Sequence, residues 1–159
     1  MVHLAGESIA DAWTARKKAR IRDSRAGPTR RLAESLAGLK HKPRVLVSAS
    51  AIGYYGDRGG EELREPSAPG AGFLADVCRE WEDATRPAAE AGIRTAMLRF
   101  GVVLSPHGGM LAQVLPIFRM GMAGPLGSGR QYVSWIALDD AVRAIEFVVS
   151  RDDLSGPIN

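Results

Sequence analysis

The stretch Val45-Leu-Val-Ser48-Ala-Ser50-Ala-Ile-Gly53-Tyr54-Tyr55-Gly56 constrains this chain more than any other. Consecutive apolar and small residues without strict alternation predict a strand covered on both faces, as in parallel α/β sheets. Ligands in such sheets bind beyond the carboxyl ends of the strands. The polar side chains at that end, Ser48, Ser50, Tyr54 and Tyr55, are therefore site candidates. The alternative is local: the serines satisfy nearby backbone groups and the tyrosines pack over a loop.

A length of 159 residues, 45% apolar and 25% charged, suits one globular domain with a single core. Cys78 is the sole cysteine, which excludes an internal disulfide and argues against a zinc cluster. A reducing cytoplasm is the expected setting. No apolar run approaches the roughly 20 residues that span a bilayer, so no membrane partner is expected. The three histidines are scattered, and no metal site is expected from them.

The net charge of +3 is unevenly placed, with Arg16, Lys17, Lys18, Arg20, Arg22, Arg25, Arg30 and Arg31 crowded into one segment. Trp13, Ile21 and Leu32 are spaced like the apolar face of a helix whose other faces are solvated. Anchoring of an anionic cofactor by one or two of the arginines is the second reading. Nucleic acid is disfavoured, because Trp13 is the only aromatic among these charges.

Along the chain, strands alternate with helices. Residues 1–5 read as a short strand, and a helix runs from about Asp11 to Leu39 with a kink or restart at Pro28. A strand follows over Arg44–Ser50, then a long loop, rich in glycine and proline, from Gly53 to Gly72. Residues 73–91 read as a helix with Leu74, Val77, Cys78 and Trp81 inward, and residues 94–103 as the next buried strand. From Ser105 to Ser134 glycines surround a short helix, Met110–Arg119. Gly127-Ser-Gly-Arg130 neither follows a buried strand nor opens a helix, so this stretch reads as a substrate cover rather than a phosphate loop. A short strand from Ser134 then enters a helix capped by an aspartate, and Ser155–Asn159 begins one more strand.

Six segments in this order support a resemblance: His3-Leu-Ala-Gly6-Glu7, Ser24-Arg25 with Thr29-Arg30, Ser48 to Gly56, Cys78-Arg-Glu-Trp81-Glu82, Leu98 to Leu104, and Gly124 to Gln131 running into Trp135-Ile and Asp139-Asp140. Across essentially its whole length the chain resembles an atypical branch of the extended short-chain dehydrogenase/reductase superfamily, the epimerase-like NAD(P)-binding proteins related to nucleotide-sugar epimerases and dehydratases. The resemblance implies a Rossmann-like parallel sheet with flanking helices, forming one NAD(P)-binding domain with a substrate loop at about residues 105–135. That fold opens with a strand, a glycine-rich turn and a helix that hold the pyrophosphate. Residues 1–6 resemble its fourth strand instead, so the chain is expected to lack the first βαβ half and to be cut at both ends. The uncovered strand edge is then expected to drive self-association.

The resemblance also implies roles. Leu4, Ala5 and Gly6 would line the cofactor, with Arg20 and Arg25 facing it. The forked donors of arginine suit phosphate and favour NADP, with NAD as the alternative. Ser48 or Ser50 takes the catalytic serine position, whereas the tyrosine and lysine of the family's Tyr-x-x-x-Lys pair align with Leu74 and Cys78. Tyr54 and Tyr55 are the candidate replacements. Arg130 would pair with charge on a small-molecule substrate, Gln131 would hydrogen-bond and Trp135 would stack. For Arg130 and Trp135 the alternative is a surface arginine and a core tryptophan. Two functions follow: an NAD(P)-dependent oxidoreductase or epimerase-like protein acting on a small or nucleotide-linked carbonyl or hydroxyl compound, with little activity in this stretch alone, or a non-catalytic nucleotide- or partner-binding module.

Overall fold

The computed structural model describes residues 1–125 and 127–159. Strands β1 (Val2–His3), β2 (Val45–Ala51), β3 (Arg94–Phe100) and β6 (Gly156–Ile158) form one sheet in the order β1-β2-β3-β6, every pair parallel. Strands β4 (Val102–Leu104) and β5 (Trp135–Ala137) form a second, two-stranded parallel sheet. Helices α1 (Ala15–Asp23), α2 (Ala26–Ala37), α3 (Phe73–Asp83), α4 (Arg86–Glu90), α5 (Gly109–Arg119) and α6 (Leu138–Ser150) complete the order of elements, and a 3-10 turn, Ile52–Tyr55, follows β2.

The first six residues of β2 are buried, as its apolar run requires. Its alternating side chains feed two cores. Leu46 packs with Ala33, Leu36, Ala88 and Ile93 under α2 and α4, whereas Val45 and Val47 pack with Ala96, Leu98 and Val148 under α6. Helices therefore cover both faces, the doubly wound arrangement expected of parallel strands joined through helices.

Several boundaries differ from the sequence reading for local reasons. The helix expected to run from Asp11 begins at Ala15, where the Thr14 hydroxyl accepts from the Lys17 N–H at 3.2 Å. It breaks at Ser24–Arg25 and restarts at Ala26, ahead of Pro28, which occupies the first turn where a missing N–H is tolerated. The helix expected over 73–91 divides into α3 and α4, because Pro87 has no N–H for an i−4 hydrogen bond. No aspartate caps α6: Ala137 holds that position, and Asp139 and Asp140 lie in the first turn. The strand expected over 94–103 breaks at Gly101, where a β-carbon would lie 2.6 Å from the Ser134 carbonyl oxygen. That close approach carries the chain from the main sheet into the β4–β5 pair.

Candidate active site

The carboxyl end of β2 carries its polar groups towards α3. Ser50 is 3% exposed and its hydroxyl donates to Glu82 Oε1 of α3 at 2.6 Å. Arg99, at the same level on β3, grips both oxygens of Glu82 at 2.8 Å through Nε and Nη2. Its Nη1 donates to the Tyr55 hydroxyl at 2.7 Å and to the Glu65 carbonyl at 3.1 Å. The Tyr55 hydroxyl in turn donates towards Asn159 Oδ1 at 2.7 Å and Arg64 O at 3.0 Å, and the Tyr54 ring lies 3.6 Å from the guanidinium carbon. Burial opposes the charge on Arg99, but the hydrogen bonds from Glu82 and Tyr55 outweigh it and hold the guanidinium well above its ordinary pKa. A single buried ion pair thus ties β2, β3, α3, the 56–72 loop and the end of β6 together.

The remaining strand-end candidates divide. Ser48 is fully buried and its hydroxyl donates to the Ala49 carbonyl at 3.2 Å, the local pairing given above as the alternative. At the positions aligned with tyrosine and lysine, Leu74 and Cys78 press against Gly53, where a β-carbon would meet Leu74 Cβ at 3.4 Å and Cys78 Sγ at 3.6 Å. Burial, reinforced by the Glu82 charge, pushes the Cys78 thiol up to about 11, so it stays protonated at neutral pH.

Beyond β1, Leu4, Ala5 and Gly6 are exposed. A β-carbon on Gly6 would lie 3.2 Å from Arg25 Cζ. The guanidinium there stacks on Trp81 at 5.0 Å and donates to the carbonyls of Glu7 and Ile21, each at 3.0 Å. Arg20 pairs with Glu7 at 2.7 Å, as does Lys17 at 3.0 Å. The structure thus brings Gly6 and Arg25 together, while Arg20 is engaged by the Glu7 carboxylate.

A cavity of about 950 Å³ opens between the 52–75 segment and residues 130–134, with Trp13 at its edge. Ile52, Leu63, Phe73 and Leu74 contribute apolar surface, and Arg130 and Gln131 also line it. Trp135 does not: it sits on β5, 64% exposed, which removes the core reading for it. The long loop's purpose is visible here. Gly70 donates its N–H to Tyr54 O at 2.9 Å, and a β-carbon at Gly70 would overlap the Tyr55 carbonyl, so the loop closes tightly on the 3-10 turn and forms the cavity wall.

Arg99, Arg58 and Tyr132 were not named as site residues from the sequence, and Trp13, read there as part of a helix's apolar face, precedes α1 and lines the cavity. Arg99 had a signal: an arginine within a buried strand requires a partnered carboxylate. Gly53, Gly56 and Gly59 also reproduce a G-x-x-G-x-x-G spacing directly after β2. That run enters a 3-10 turn and a loop, not the helix N-terminus that a pyrophosphate turn requires. Among the described residues, no helix is long and apolar enough to cross a membrane.

Known proteins are similar to this chain in sequence and in fold. An epimerase family protein of Mycobacterium bovis is 46% identical over 160 residues, covering 100% of this chain and 52% of the relative. The chain thus spans about half the length of the curated relatives it matches. The crystal structure of a nucleoside-diphosphate sugar epimerase from Corynebacterium glutamicum superposes with a TM-score of 0.84 at 43% identity, covering 99% of this chain and 33% of that one. The human epimerase family protein SDR39U1 (isoform 2), crystallised with NADPH, gives a TM-score of 0.93 at 29% identity, covering 99% of this chain and 55% of that one. The profile of the NAD dependent epimerase/dehydratase family matches residues 1–159, and the chain belongs to that family.

Proposed function

We propose that this chain supplies the substrate-facing part of a nicotinamide-nucleotide site, of oxidoreductase or epimerase-like type, acting on a small carbonyl or hydroxyl compound. The observation that carries this reading is that the Gly6–Arg25 contact, the Ser50 hydroxyl and the cavity-lining 52–75 segment all lie at or beyond the carboxyl ends of the adjacent parallel strands β1 and β2. The missing side chain of Gly6 lets the Arg25 guanidinium, which has no ion pair among the described residues, lie against the turn after β1, and a cation there fits an anionic dinucleotide. NADPH in the human relative supports NADP as the cofactor, with NAD as the alternative. Bound there, it would supply or accept a hydride. The chain's own residues would do the rest. Leu4, Ala5 and Gly6 present backbone to the cofactor, with Arg25 beside them. Glu82 fixes the direction of the Ser50 hydroxyl, and Arg130 and Gln131 hold the substrate from the far wall. Turnover in these residues alone is expected to be low, because Leu74 and Cys78 supply neither the phenol nor the ammonium of Tyr-x-x-x-Lys and the Tyr55 hydroxyl is engaged by Arg99.

Those same substitutions favour the second reading, a nucleotide-binding module without turnover. Deuterium transfer separates the two. The protein is incubated with NADPH deuterated at C4 and a panel of aldehydes and ketones, and deuterium in the products is read by mass spectrometry. Transfer above the protein-free rate establishes the enzyme reading. Saturable binding with no transfer across the panel establishes the module.

A further inference from the structure

The charged side chains of the cavity wall other than Arg130 are engaged with one another or with backbone. Arg58 forks onto Glu61 at 2.6 and 2.8 Å and also donates to Ala68 O at 3.3 Å. Asp57 accepts the Gly59 N–H at 3.1 Å, and the Tyr55 hydroxyl belongs to the Arg99 network. Trp13 donates its indole N–H to Ile9 O at 2.8 Å and meets Phe73 edge-on at 5.7 Å between ring centroids. What Trp13 offers a ligand is therefore ring surface, not a hydrogen bond. Arg130 differs from these, because its guanidinium has no ion pair or hydrogen bond among the described residues. The result, among the described residues, is a cavity with an apolar wall of Ile52, Leu63, Phe73 and Leu74, polar groups from Tyr132, Ser134 and Asn159, and one cation, Arg130, without an ion pair.

A sugar ring needs donors and acceptors on all sides, and against the wall of Ile52, Leu63, Phe73 and Leu74 its hydroxyls would be desolvated without partners. A planar apolar body needs only surface, and a carboxylate or other anion on it would meet the open fork of Arg130. We propose that the substrate cavity selects a planar, largely apolar carbonyl or hydroxyl compound bearing one anionic group, with its ring system against Leu74, Phe73 and Trp13 and its anion on Arg130, in preference to a sugar. The proposal rests on the cavity being the substrate site, but its binding chemistry is tested without the cofactor.

The probes are 2-naphthoate, its uncharged analogue 2-naphthamide, and UDP-glucose, each titrated calorimetrically into the protein, with NADPH titrated in parallel. The naphthoate is expected to bind at one site and at least about tenfold more tightly than the amide, with UDP-glucose failing to displace it. Arg130→Gln, at an exposed position, should weaken the naphthoate about tenfold while changing the amide less than about twofold. Leu63→Asn should weaken both, and Phe118→Ser, on the exposed apolar face of α5 outside the cavity, should weaken neither. UDP-glucose binding tighter than naphthoate, an unchanged naphthoate affinity in Arg130→Gln, or loss of binding in Phe118→Ser would each overturn the proposal. Naphthoate binding without NADPH binding would leave this proposal standing and remove the cofactor reading. The reverse pattern would remove only the proposal.

Discussion

Arg99 and Glu82 are 2% and 11% exposed at their side chains, so each depends on the other for its compensation. Removing one partner leaves an uncompensated buried charge. Arg99→Met and Glu82→Gln are each expected to lower unfolding free energy by about 3–5 kcal/mol, and the double substitution by clearly less than their sum, in urea titrations. Full additivity would show that the pair does not act as a unit. His3 carries the pH prediction. Thr29 Oγ1 accepts the Trp81 indole N–H at 3.0 Å and lies 3.0 Å from His3 Nε2, and a partly buried ring with no carboxylate partner among the described residues favours the neutral form. Burial lowers the His3 pKa below 6.5 accordingly. A histidine with a lowered folded-state value contributes stability that is full above the unfolded value and is lost as pH falls through the folded one. Between pH 7 and about 5, wild-type protein should therefore lose more stability than His3→Gln. Equal slopes for the two proteins would remove the neutral-ring assignment. Trp81 and Cys78 were legible as inward residues of a helix, but the Thr29 bridge was not, because it joins elements far apart in sequence.

At the scale of elements, apolar runs identified most strands and helices, since burial on both faces leaves a local signature. Breaks were less legible, because a distant backbone causes them. Gly101 is the clearest case: in sequence it continues a strand, whereas in space the Ser134 carbonyl leaves no room for a side chain. Gly101→Ala is expected to destabilise by about 1–3 kcal/mol and to raise hydrogen exchange in β4 and β5 ahead of β2 and β3. Uniform exchange across both sheets would show that the break is not where the strain falls. The candidate site was partly legible for the same reason. Ser50, Arg25 and Gly6 were named from motif and strand position, whereas the bonds that Glu82 makes with Ser50 and Arg99 required the packing of separate layers. Trp135 was read as a stacking residue for substrate with the core as the alternative, and it lies exposed on β5 outside the cavity, because an aromatic beside apolar residues reads alike in a site, in a core and on an edge.

Across the fold, among the described residues β1 pairs only with β2, and Met1, Val2 and Leu4 are 52%, 41% and 53% exposed. Such an edge is a template for strand pairing. Concentration-dependent association is expected in sedimentation velocity, reduced by Val2→Lys, which places a charge on the edge. A monomer at every concentration would contradict it. If the strand ends hold a nicotinamide nucleotide beside Arg25, as proposed above, NADPH and NADH will quench tryptophan fluorescence saturably. Tighter binding is expected for NADPH than for NADH, weakened about tenfold by Arg25→Gln. Absence of saturation, or binding indifferent to Arg25→Gln, would contradict it.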